Sequence, residues 1–211
     1  MTAAAYAKAQ DAPVLHRGLI TVCVMLATIM QALDTTIANV ALPYMQGSLG
    51  VTLDQVTWVL TSYIVAAAIM TAPSGWLAVR FGRKKVFIIA AAGFTIASML
   101  CGAAQGINDM VAYRLLQGVF GAALVPLSQA VMMDIYPAEK RGQAMAIWGM
   151  GVMLGPIMGP TLGGWLTEYY SWRWVFLINL PFGIATVLGL MAYMPDTKPR
   201  EMRFDWLGFA T

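Results

Sequence analysis

Charge is what this sequence has least of: Asp, Glu, Lys and Arg make up 11% of its residues, against roughly one quarter in a soluble globular domain. No charged side chain stands between Arg141 and Glu168 or between Arg173 and Asp196. Cysteine is scarce as well. Cys23 and Cys101 both fall inside apolar runs, which excludes a disulfide framework and leaves a metal ion no ligand cluster. The single histidine, His16, sits beside Arg17 at the start of the first apolar run and is not expected to carry protons. Strand-like alternation is also missing, and the apolar runs are too long for barrel strands, so a transmembrane barrel is excluded. The basic patch Arg83 to Lys85 has no aromatic residues placed to stack bases, so nucleic acid is not expected as a partner. No enzymatic activity is expected, and no cofactor.

What is present is hydrophobic surface, at 59% of residues. Four uncharged runs, 55 to 79, 86 to 108, 142 to 167 and 174 to 195, each exceed the roughly 20 apolar residues that cross a bilayer. Two further runs carry one charge each. The first extends from Gly18 to about Met45 around Asp34, and the fourth from about Met110 to Met133 around Arg114. The expected fold class is therefore an all-α membrane protein with six transmembrane helices. Their approximate bounds are 18–45, 55–79, 86–105, 109–135, 142–167 and 173–195, after an amino-terminal tail over 1–17. Residues 196–211 read as a linker and the start of a seventh helix. The first apolar stretch is too long for a signal-peptide core and leads directly into a full span, so no cleavable leader is expected.

Basic residues set the expected orientation. With the amino terminus inside, the cytoplasmic segments collect Lys8, Arg17, Arg80, Arg83, Lys84, Lys85, Lys140, Arg141, Lys198, Arg200 and Arg203, which is eleven of the thirteen Lys and Arg. This obeys the positive-inside rule. It predicts a multi-pass membrane protein with a cytoplasmic amino terminus, partnered by the lipid bilayer. The first helix of each triplet carries the lone charge, as expected of a 3+3 inverted repeat.

Those two charges are the candidate site. An ionisable group inside a membrane costs at least about 2.5 kcal/mol, so each is a functional candidate. With the first helix ending near Pro43, Asp34 lies roughly 13 Å from its outer end, and Arg114 about 9 Å in from Asn108, at 1.5 Å per residue. They can meet. The helix-one face around Asp34 holds Cys23, Ala27, Met30, Gln31, Ala38 and Ala41, with Leu26, Ile29, Leu33 and Val40 opposite. The Arg114 face carries Gln117, Gly118, Gly121, Ser128, Gln129 and Met132, and Pro126 is a local kink site. Gln31, Gln117 and Gln129 are candidate substrate-cavity residues, with Met30 and Met132 as adaptable apolar contacts. Two readings of Asp34 and Arg114 stand together: a fixed ion pair locating two helices, or a carboxylate switched between protonated and ionised forms.

The fifth run is unusual in another way. Gly151, Gly155, Gly159 and Gly163 recur every fourth residue, with Pro156 and Pro160 among them. Gly and Pro are poor in soluble helices but common in membrane ones. The spacing makes a stripe along which another helix can approach closely.

Four segments together resemble the major facilitator superfamily, and within it the fourteen-helix drug:proton antiporters of the EmrB/QacA type. LDTTIANVALP, Leu33 to Pro43, is similar to the first-helix signature of that branch. GWLAVRFGRKK, Gly75 to Lys85, resembles the loop between helices two and three at Gly75, Leu77, Arg80, Gly82, Arg83 and Lys84. RLLQGVFGAAL, Arg114 to Leu124, resembles the fourth-helix motif, and the Gly151 to Gly164 run the fifth-helix antiporter motif. WRWVFLINLPFG and FDWLGF, beginning at Trp172 and Phe204, are similar to the same group. Val79 stands where the loop motif usually has Asp, an acid that takes part in a clasp between halves.

The resemblance implies the amino-terminal half of a major facilitator fold in a proton-coupled multidrug efflux transporter, an antiporter of antibiotic-resistance type. Asp34 and Arg114 would be its proton-coupling residues. It implies small amphipathic or hydrophobic substrates, a carboxy-terminal half not in this sequence, and a periplasmic membrane-fusion adaptor as a candidate partner. It also implies that the fifth-helix stripe meets a helix of the second half. A same-fold symporter or dedicated metabolite exporter, and a non-transporting membrane fragment, are the alternatives.

Overall fold

The computed structural model describes residues 16–197 and 199. Those residues contain six helices long and apolar enough to cross a membrane, and no strand. Helix α1 is Arg17–Leu49, α2 Leu53–Phe81 and α3 Arg83–Ala103. Helix α4 spans Ile107–Ile135 in two segments, α5 is Arg141–Tyr169, and α6 spans Trp174–Tyr193. The expected tail before residue 16 and the start of a seventh helix lie outside the described residues.

Each boundary has a local cause. Helix α1 does not end near Pro43 as expected. It runs through that proline to Leu49 and stops where Gly50 turns left-handed and its N–H bonds Gln46 O. Thr52 and Gln55 then form a reciprocal capping box that starts α2. At the other end of α2, Gly82 holds φ 91°, and a Cβ there would come within 2.6 Å of Thr197 O. Glycine is therefore the residue that lets α2 turn directly into α3. Helix α4 breaks at Ala122 and Ala123 between its segments Ile107–Gly121 and Leu124–Ile135. Pro126 is the cause: it has no N–H for Ala122 O and its ring crowds that carbonyl.

Polar side chains inside the spans are mostly satisfied within their own helices. Thr21, Thr28 and Thr95 donate to carbonyls four residues earlier, as the absence of water in a bilayer core demands. Cations finish two helices. The Arg141 Nε donates to Met133 O at 3.2 Å, and Arg173 donates to Gly102 O in the last turn of α3 and to Ala104 O just after it. Arg173→Ala is expected to lower stability by about 1 kcal/mol, read as an earlier unfolding midpoint in detergent titration of the purified chain.

The packing has two-fold logic. Helix α1, first of its triplet, packs on α5 and α6, the second and third of the other triplet. Helix α4 packs in the same way on α2 and α3. The self-related pairs α1–α4 and α3–α6 also touch. This is the pattern of two interlocked triplets, and the odd number of spans per triplet makes the relation inverted. With neighbours on several sides, α1 buries a wider arc than its sequence pattern suggests: Leu33, expected on the outward side, is 3% exposed. Helices α2 and α5 keep the most surface uncovered. Trp58, Ile64 and Ile69 of α2 and Met150, Met153 and Ile157 of α5 are exposed.

A buried charge network as the candidate functional site

Five helices converge on one polar cluster. Helix α1 brings Asp34, and α4 brings Arg114 and Gln117 one turn apart on the same face. Helix α2 supplies the Val59 carbonyl and Tyr63, α3 supplies Ser98 and Cys101, and α6 supplies Asn179. The Asp34 and Arg114 side chains are 0% and 1% exposed. Nothing in the interior screens them, so geometry decides whether the arrangement holds.

Asp34 Oδ2 accepts from Arg114 Nη1 at 2.7 Å. Its Oδ1 accepts from Gln117 Nε2 at 2.8 Å and from Asn179 Nδ2 at 3.0 Å. Arg114 also donates from Nη1 to Gln117 Oε1 at 2.7 Å and from Nε to Val59 O at 3.1 Å. The guanidinium carbon lies 4.3 Å from the Tyr63 ring centre and 5.6 Å from that of Phe176, which adds cation–π attraction on a desolvated charge. Desolvating two ions costs several kcal/mol each, and only a pair with its remaining lone pairs and protons bonded offsets this. Most of the bonding sites here are used. The exceptions are Arg114 Nη2 and Asn179 Oδ1, both buried without a partner.

The cluster extends in two directions. Asn179 Nδ2 lies 2.9 Å from Ser98 Oγ, which donates to Phe176 O. On the other side, Gln31 Nε2 donates to the Tyr63 hydroxyl at 3.2 Å. Gln31 is half-buried, and at this point the network comes nearest the surface.

The expected pairing of Asp34 with Arg114 is thus formed. Gln117 is not a cavity-lining residue in this state. It is fully buried with both ends of its amide in use, because it stands one turn from Arg114 and completes the ion pair. Met30 and Met132 are likewise sealed in one apolar core cluster. Gln129 is exposed. Asn179, Ser98 and Tyr63 were not among the expected site residues. For Asn179 a signal existed, since it is the one amide side chain in the apolar run 174 to 193, and an uncompensated amide in a membrane interior is costly.

The loop motif divides by residue. Gly75 and Arg80 are exposed at the end of α2, and Gly82 makes the sharp turn. Arg83 forms an ion pair with Asp134 at the end of α4, and Lys84 one with Asp196 at 3.2 Å. Val79 contributes no charge, and the carboxylate that meets Arg83 comes from α4.

The α5 stripe does not point where the resemblance placed it. Gly151, Gly155, Gly159 and Gly163 are all buried against α1 of this same half. A Cβ on Gly155 would lie 2.5 Å from the Ala32 carbonyl carbon, and one on Gly159 would overlap Thr36 Oγ1. Thr36 Oγ1 donates to Gly155 O at 3.0 Å across this contact. Pro156 and Pro160 lie on the uncovered side. The reason is the interlocked packing: α1, with its small residues Ala32 and Thr36, is the long neighbour that the stripe can approach to backbone distance.

Six spans in two interlocked triplets around a sealed carboxylate–guanidinium pair define one half of a membrane transporter fold. The chain belongs to the Major Facilitator Superfamily, whose profile matches residues 24–205. It is 43% identical over 194 residues to the multidrug export protein EmrB of Escherichia coli (strain K12), covering 91% of this chain and 38% of that protein. It is 48% identical over 167 residues to the fatty acid resistance protein FarB of Neisseria gonorrhoeae, covering 79% of this chain and 33% of that protein. Among solved structures, a peptide transporter POT superimposes with TM-score 0.74 at 17% identity, over 91% of this chain and 41% of that one. The xylose transporter XylE from E. coli does so with TM-score 0.71 at 18% identity, over 84% of this chain and 48% of that one. These two show the shared fold. The chain spans under half the length of each of these relatives.

Proposed function

We propose that this chain is the amino-terminal half of a proton-coupled multidrug exporter of the bacterial inner membrane, with its amino terminus in the cytoplasm. Protons enter as amphipathic or hydrophobic substrate leaves, and Asp34 and Arg114 are the coupling pair. The observation that carries this reading is the sealed pair itself, a fully buried carboxylate whose ionisation is tied to contacts between helices. A rigid spacer between α1 and α4 has no need of charge, because apolar side chains of similar volume commonly hold such positions as well or better. The multidrug export and fatty acid resistance relatives support the substrate class. The second half, and a periplasmic membrane-fusion adaptor at the outer face, are the partners this reading requires or accommodates.

In vesicles carrying this half joined to its second half, under an imposed proton gradient, substrate and protons are expected to move in opposite directions. Asp34→Asn is expected to abolish the proton-driven component, with the protein still inserted in wild-type amount. Co-movement of substrate and protons would overturn antiport, and unchanged proton-driven transport in the variant would remove Asp34 from the mechanism.

A further inference from the structure

Asp34 has two neutral amide partners, and they differ in one respect. Gln117 is committed at both ends: Oε1 accepts from Arg114 Nη1, with Cys101 Sγ at 3.6 Å, while Nε2 donates to Asp34. Asn179 is committed at one end only. Its nitrogen serves Asp34 Oδ1 and Ser98 Oγ, while its own Oδ1 is buried with no partner. A buried, unpartnered acceptor is costly, and here it belongs to an amide already touching a carboxylate that would gain a proton.

We propose that Asn179 is a positioning residue for proton exchange at Asp34, its amide donating to the carboxylate and, once turned over, accepting from the protonated acid. A proton delivered from water adds to Asp34 Oδ1. Rotation of the Asn179 side-chain amide then exchanges N–H···O⁻ for O···H–O at nearly the same place, since the two ends of an amide are similar in size and opposite in role. The α1–α6 contact therefore persists in both states. The charge-assisted bond between α1 and α4 exists only while Asp34 is ionised. Protonation in this scheme loosens α1 from α4 and leaves α1, α6 and α3 joined through Asn179 and Ser98, the Ser98 hydroxyl turning its proton from Phe176 O to the Asn179 oxygen. The titratable and charged groups facing Asp34 are Arg114 from α4, Tyr63 from α2 and Cys101 from α3; α5 and α6 contribute no titratable partner to it among the described residues.

The inference rests on proton exchange at Asp34, and the test separates the two. Infrared difference spectra of the purified chain in lipid bilayers are recorded as pH is lowered, with Asp34→Asn used to assign the protonated carboxyl band. In wild type the band is expected at the frequency of a hydrogen-bonded acid. Asn179→Leu, close in volume and unable to bond, is expected to move it to the higher frequency of a free acid, and Asn179→Ser, with a hydroxyl that can donate or accept, to return it most of the way. Should the leucine variant fail to insert, Asn179→Ala carries the same expectation. A band that develops but is indifferent to Asn179→Leu or Asn179→Ala overturns the inference alone. A band that never develops removes Asp34 as a proton carrier, and the inference with it.

Discussion

Replacing Gly155 with alanine is expected to destabilise the bundle by about 2 kcal/mol, in the range measured for overpacked cores, although alanine is the better helix former by about 1 kcal/mol. The added methyl meets backbone. It would lie 2.5 Å from the Ala32 carbonyl carbon and 2.6 Å from the Ala32 oxygen, and neither can step aside as the end of a flexible side chain can. Helices α1 and α5 must separate, which lengthens the Thr36 to Gly155 hydrogen bond and thins the most extensive helix contact of the bundle. Gly164 is the internal control. It lies on the same helix with open space around its would-be Cβ, so Gly164→Ala is expected to be neutral or to stabilise by up to about 1 kcal/mol. Detergent-titrated unfolding of the two variants reads the difference, and equal effects at both sites would refute close α1–α5 packing.

Arg114→Leu is expected to cost about 3 to 5 kcal/mol, the loss typical when one partner of a buried ion pair is removed. The carboxylate of Asp34 would keep only its two amide donors in an interior that excludes water. Combining it with Asp34→Leu is expected to recover much of that loss, because no buried charge then remains, although Gln117 and Asn179 lose their acceptor. Asp34→Leu alone strands the guanidinium in the same way, so a double-mutant cycle should show a coupling energy of about 3 kcal/mol or more, at the upper end of the range for residues in one network. Additive losses would mean that the two charges do not sense each other. Transport separates stability from mechanism: in the transporter joined to its second half, the double variant is expected to insert better than the single one and to remain inactive.

The elements that sequence made legible are those governed by one-dimensional rules. Charge-free run lengths predicted six spans, the number of membrane-length helices among the described residues, and matched depth along two helices was enough to bring Asp34 to Arg114. The α1 terminus was misjudged because Pro43 usually signals an end, yet within a few residues of a helix terminus in a membrane protein its missing N–H is easily accommodated. Gln117 resembled a cavity residue because it shares a face with Arg114, and only the partner helices show that this face is sealed. The stripe on α5 was visible as a contact surface, but a stripe of small residues does not specify which helix it meets. Asn179 depended on α6 crossing beside α1, which no local pattern in either helix encodes.

The interlocking of the two triplets also has a consequence in time. Of these six helices α1 enters the membrane first, carrying Asp34, and its guanidinium partner follows 80 residues later on α4, with the Asn179 amide 145 residues away on α6. Until the sixth span arrives, the carboxylate is left incompletely bonded, at an insertion cost of about 3 kcal/mol that a single span can tolerate. Neither triplet can close this network alone. The bundle is thus expected to lock late, when its last helix is in place, and a chain stopped after α5 should remain an open set of helices recognisable to membrane quality control.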